Sequence, residues 1–140
     1  MGTLAQTVLP FKLEATEELL TANAGLALFG EFVRGLGFSR WLTQEMPKPG
    51  SGRGYGAETY VTALVLMLTG GGRSLEDLRT LKGDTALATV LKQEAVPSTD
   101  ACGDWLRRTG EEAGLSGLSR TNQRVAATRI RQTGITAHTL

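Results

Sequence analysis

An all-α fold of about seven short helices, packed as one compact bundle, is what this sequence predicts. Three observations predict it. Apolar residues recur at steps of three and four in successive windows, the spacing of a buried helix face. Clusters of glycine and proline end those windows at short intervals. Almost no stretch alternates apolar and polar residues in the manner of a half-buried strand. The length of 140 residues suits one domain, and a hydrophobic content of 41% supplies a core.

The elements follow in order. Residues 1–20 read as an extended N-terminal arm, because Pro10 breaks any early helix and "TVLPFKL" is short and apolar. The stretch 21–37 carries Leu26, Phe29, Val33 and Leu36 on one helical stripe, with Thr21 or Asn23 as cap and Gly37 as stop. "SRWLTQEM" (39–46) is a second helix, stopped by Pro47. "PKPGSGRGYG" (47–56) is a loop with two prolines and four glycines. Residues 57–69 are apolar almost all round, as in a central, buried helix.

"GGGR" (70–73) ends that helix, and Ser74 with Asp77 three residues on approximates a capping box for the next, which turns Leu75, Leu78 and Leu81 inward. Asp84 caps a short helix over 84–93, expected to bury Leu87, Val90 and Leu91. Pro97 breaks the chain, and Ser98 or Thr99 caps a helix that ends at Gly110. Its apolar side is read as Ala101, Cys102, Trp105 and Leu106, and Arg107 and Arg108 occupy its last turn, where the helix dipole favours cations. The last helix is expected over about 114–132 with Leu115, Leu118, Val125 and Ile130 inward, and "ITAHTL" (135–140) reads as the first residues of a strand. A helical domain over 21–134 is therefore expected between the arm and that strand.

Charge narrows the function less than it first promises. The formal net charge is only +1, so no global field argues for nucleic acid. From Ala113 to Leu140, however, there are four arginines, one histidine and no acid. Cys102 is the only cysteine, which excludes an internal disulfide and a thiolate metal cage, and fits a reducing cytoplasm. The longest apolar run is about half of what a membrane span needs, so no membrane partner is expected.

Candidate chemistry is sparse. Cys102 sits mid-helix among apolar residues, which reads as a structural thiol rather than a nucleophile. Glu76 and Asp77, like Glu111 and Glu112, are adjacent and so diverge on a helix. "GGGRS" lacks the spacing of a phosphate-binding loop and reads as a helix–helix turn, although Arg73 there suits a DNA phosphate. No metal-ligand spacing is present, and no cofactor is expected in this chain.

Two features point outward. Helices 84–93 and 98–109, joined by "EAVPS", read either as an ordinary hairpin or as a helix-turn-helix whose second helix would present Ser98 and Thr99 to a base edge or phosphate. Arg120 and Arg124, four apart, share a face that is either solvated or laid against DNA. Arg107, Arg108, Lys48 and Arg53 add phosphate contacts in the DNA-binding reading.

The segments "PGSGRGYG", "LMLTGGGRSLEDLRTL" and "VPSTDACGDWLRRTGE", with the N-terminal "TVLPFKLEATEELLTANAGLALFGEFVRGLG", resemble the N-terminal region of bacterial insertion-sequence transposases with a DDE catalytic domain on an RNase H-like fold. The resemblance covers almost the whole chain in order. It implies a helical part that binds the terminal inverted repeats as double-stranded DNA, pairs with itself or with a full-length transposase, and works near the bacterial nucleoid. It also implies a divalent metal such as magnesium for the catalytic domain, held by three carboxylates. None of those carboxylates has a matching position in residues 1–140, so this chain is expected to be no enzyme by itself. The rival expectation is a helical protein-interaction or dimerisation module that does not bind DNA.

Overall fold

The computed structural model describes residues 17–50, 54–93 and 95–134. Among them are seven α-helices and no strand: α1 (Ala24–Gly35), α2 (Phe38–Glu45), α3 (Ala57–Thr69), α4 (Leu78–Gly83), α5 (Thr85–Leu91), α6 (Thr99–Thr109) and α7 (Glu112–Thr133). A 3-10 turn over Leu75–Asp77 precedes α4. The all-α expectation is met. Of the arm, only residues 17–20 are described, as exposed coil; the expected strand start and His138 lie outside the described residues. No helix among those described is long and apolar enough to cross a membrane.

Helix α3 is the axis of the bundle, as its all-round apolar sequence predicts. Leu66 joins Leu26, Leu81, Leu87 and Leu91 in one core cluster. Tyr60, Ala63 and Met67 join Leu78 and Cys102 in a second. Ala57 and Val61 join Leu42 and Met46 in a third. Val96 bridges the first two clusters and Trp105 the last two. Around this axis, α1 packs on α5, α2 and α3, while α2 also packs on α3 and α7.

Local chemistry sets the element ends. Gly37 takes a left-handed φ of 68°, which lets the chain stop α1 and start α2 within two residues. The residue before a proline is pushed to extended backbone, and Met46 before Pro47 has ψ 151°, so α2 ends at Glu45. The capping box forms as predicted: Asp77 Oδ2 accepts from the Ser74 backbone N–H at 2.9 Å. Those backbone hydrogen bonds from Arg73 and Ser74 hold the Asp77 carboxyl below its ordinary range.

Asp84 does more than cap. Its Oδ1 accepts from Leu87 N at 2.9 Å, and its Oδ2 accepts from the Thr21 hydroxyl and from Asn23 Nδ2 at 3.0 Å. Asn23 precedes α1 without capping it by its side chain. One carboxylate thus ties the start of α1 to the start of α5, and the Thr21 hydrogen bond above all lowers its pKa. Arg34 adds a second tie, Nη2 to Leu91 O at 2.8 Å.

Three expectations about burial are corrected. Val90 and Leu106 are exposed; Ala86 takes the place of Val90 among the buried residues of α5, and on α6 Cys102 is buried as read. The larger correction concerns α7. Leu115, Leu118 and Ile130 face outward, and Val125 is half-buried. The buried face is Gly114, Gly117 and Thr121 instead. The reason is close approach: a Cβ on Gly117 would lie 2.5 Å from Glu45 O and 3.2 Å from Met46 Cα, so only a side-chain-free position fits against α2 there.

The packed helix-turn-helix is not seen. Helix α5 packs on α1 and α4, whereas α6 packs on the 3-10 turn and on α7. The linker explains the separation. Pro97 is fully buried, and Val96 is wedged between two core clusters, which sends α5 and α6 to different neighbours.

Candidate nucleic-acid interface

Seven of the nine residues singled out by sequence fall into four settings. Arg120 and Arg124 form the first. Both reach the same carboxylate: Arg120 Nε lies 2.9 Å from Glu45 Oε2 and Arg124 Nε 3.4 Å from Glu45 Oε1. Arg120 Nη2 also donates to Glu45 O at 3.3 Å. The Glu45 side chain is only 15% exposed, so its charge needs these partners. Arg124 and Arg40 further lie over the Trp41 ring, at 5.5 and 4.6 Å from its centroid. The arginine pair is therefore not a bare solvated face: it fastens α7 to α2 across the glycine contact while each side chain stays more than half exposed.

Arg107 forms the second setting, an exposed i,i+3 ion pair with Asp104. Exposed pairs of this kind contribute about 0–1 kcal/mol, so Arg107 is readily drawn to another anion. Ser98 and Thr99 form the third. Ser98 Oγ accepts from Ala101 N at 3.2 Å and caps α6, with Asp100 beside it in the first turn. That carboxylate opposes phosphate approach at the helix start.

The fourth setting brings two distant stretches together. Lys48, between Pro47 and Pro49 after α2, and Arg108, in the last turn of α6, line one half-open cavity of about 300 Å³. Among the described residues neither has a carboxylate partner; Arg108 Nε donates only to Asp104 O, at 3.3 Å. Trp105 lies three residues before Arg108, so both project from the same side of α6. The Trp105 ring stacks on Tyr60 of α3, centroids 5.0 Å apart and planes 9° from parallel. Tyr55 meets Tyr60 edge-on at 6.0 Å and 76°. Glu111, Tyr55, Tyr60 and Trp105 all line the cavity with the two cations.

Arg73 is exposed in the turn after α3, where its backbone N–H binds Asp77 Oδ2 at 2.8 Å. Arg53 lies outside the described residues. No group of three among His, Cys, Asp and Glu converges within the described residues. Burial raises the Cys102 thiol above its ordinary range, as expected of a structural thiol.

Sequence reasoning missed the aromatic group beside Lys48 and Arg108. The i,i+3 spacing of Trp105 and Arg108 was available, but Tyr60 was absorbed into the apolar run of α3. It also missed Glu45 as the anchor of Arg120 and Arg124, because contacts 75 and 79 residues apart leave no local trace.

No known protein family, curated protein or solved structure matches this chain. The likeness to insertion-sequence transposases rests on the quoted segments alone.

Proposed function

We propose that this chain is the DNA-binding and assembly part of an insertion-sequence transposase, and that it recognises the terminal inverted repeats of the element as duplex DNA. The observation that carries the reading is the cavity where Lys48 and Arg108 meet. Two cations without a carboxylate partner among the described residues, from stretches 60 residues apart in sequence, line one cavity beside aromatic rings, a combination suited to a phosphate and a base. Arg107 adds a cation next to Arg108 on α6, Arg73 stands beyond the far end of α3 from the cavity, and Arg120 and Arg124 hold α7 on α2. In this reading the chain holds and aligns ends, and the metal-dependent cutting belongs to three carboxylates that residues 1–140 do not supply.

The test is duplex binding by fluorescence anisotropy across a salt series. Arg108→Ala weakens binding and lowers the salt slope by about one, as loss of one phosphate contact requires. Arg120→Ala changes the slope far less. An unchanged slope for Arg108→Ala refutes its role.

A second reading is favoured by one observation. Leu115 and Leu118 stand exposed on the outer face of α7, with Ile130 farther along. A face of this kind suits a protein partner. It would serve assembly in a transposase, or stand as the whole function if the protein binds no DNA. Light scattering with Leu115→Glu and Leu118→Glu separates the two: a change of mass without any DNA affinity supports the interaction module.

A further inference from the structure

We infer that the Lys48–Arg108 cavity accepts an unpaired nucleotide, a base that has left the duplex stack together with its phosphate. The inference deepens the DNA-binding reading and rests on it. Three features of the cavity go beyond what a paired duplex needs. First, it is a concavity of about 300 Å³, whereas the phosphates of a duplex are met at a convex or flat cationic surface. Second, its interior is aromatic. Tyr60 is buried and stacked on Trp105, so those two rings form a fixed floor. Tyr55 stands edge-on to Tyr60 at the rim and is 46% exposed, so it is the ring of the three with the most surface left for a base. Third, the polar groups are divided by sign. Lys48 and Arg108 suit the phosphate, and Glu111 suits the exocyclic amino group of a base, where a carboxylate accepts a hydrogen bond.

A stacking face, two cations and one carboxylate around a nucleotide-sized hollow are the parts that single-strand binders use. A paired base offers its edge only in a groove and cannot enter such a hollow. An extruded or overhanging nucleotide can enter it, because its π-face and its amino group are both free. DNA ends are where unpaired nucleotides arise most easily, which ties the cavity to end recognition.

The experiment uses the whole 140-residue protein and two DNA hairpins of identical duplex sequence. One carries a single 3′-overhanging 2-aminopurine; the other has 2-aminopurine paired with thymine inside the stem. Anisotropy reads affinity, and 2-aminopurine emission reads stacking. The overhang hairpin is expected to bind at least about 5-fold tighter, the low end of what one stacked base contributes, and its emission to fall on binding. Tyr55→Ala should reduce the preference below 2-fold, and Tyr55→Phe should keep it. Tyr55 is half-exposed at the rim, so neither variant removes a core side chain, and circular dichroism checks their helicity. Equal affinity for the two hairpins, or unchanged emission on binding, overturns the inference while duplex binding still stands. Failure of both hairpins to bind at low salt overturns this inference and the DNA-binding reading together.

Discussion

Replacing Gly117 by alanine should destabilise the protein, although the same change elsewhere in a helix stabilises it. In a helix interior alanine is favoured over glycine by about 1 kcal/mol. Gly103, in the middle of α6, realises that gain. Its added Cβ meets Leu75 Cδ1 at 3.8 Å and Arg107 Nη2 at 4.0 Å, which are ordinary contacts. At Gly117 the Cβ would meet a backbone carbonyl, Glu45 O, at 2.5 Å. That atom belongs to α2 and cannot rotate aside. Overpacking of this kind costs about 3 kcal/mol at the upper end of its usual range, so a net loss of about 2 kcal/mol remains. The two substitutions should therefore differ by about 3 kcal/mol. For a chain of this size that separates their Tm values by roughly 6–12 °C. Thermal unfolding followed by circular dichroism measures both. If Gly117→Ala raises Tm as Gly103→Ala does, α7 does not pack on α2 through its glycine face, and the burial pattern described for α7 is wrong.

Other outcomes follow from the same geometry. Leu42→Ala, at a side chain with no exposure, should cost about 2–5 kcal/mol in urea unfolding, whereas Val90→Ala should stay within about 0.5 kcal/mol. Glu45→Ala should lower stability by about 1 kcal/mol at low salt, and the deficit should shrink in 0.5 M salt (a Debye length of about 4 Å), because Arg120 and Arg124 are more than half exposed. Asp84 has a lowered pKa in the fold, so its contribution is present above the unfolded value of about 3.9 and is lost as pH falls through the folded value. Thr21→Val removes the largest cause of that shift and should move the acid-unfolding midpoint to higher pH; an unmoved midpoint contradicts the role given to Thr21. Cys102 has a raised pKa, so the folded thiol should resist alkylation at pH 8 and react only as fast as the protein opens, with stability declining above about pH 9.

The parts of the fold legible in the sequence are those governed by near neighbours. The Ser74–Asp77 capping box, the Asp84 cap, the stop at Pro47 and the central position of α3 each depend on residues within a turn or on the composition of one helix. The parts that were not legible depend on distant backbone. In α7 two stripes run at helical spacing, one of large apolar residues and one of Gly114, Gly117 and Thr121. Burial normally selects the large stripe, but the approach of α2 selects the small one. The same contact decided the fate of Arg120 and Arg124, whose partner Glu45 lies on α2. The hairpin of α5 and α6 failed for a comparable reason, since Val96 and Pro97 read as a turn but are built into the core. The candidate site was half legible: Lys48 and Arg108 were chosen for their charge and Trp105 was read only as a core side chain, while Tyr60 and Tyr55 came from α3 and from the loop before it.

Duplexes tiled across the DNA that flanks the coding sequence, titrated with the protein in 50 and 200 mM salt, test the central claim most directly. The account predicts that one tile from each flank, related by inverted repetition, binds more tightly than the rest and loses affinity steeply with salt, and that Arg108→Ala weakens both. Equal, salt-insensitive binding to every tile, or none to any, would contradict it.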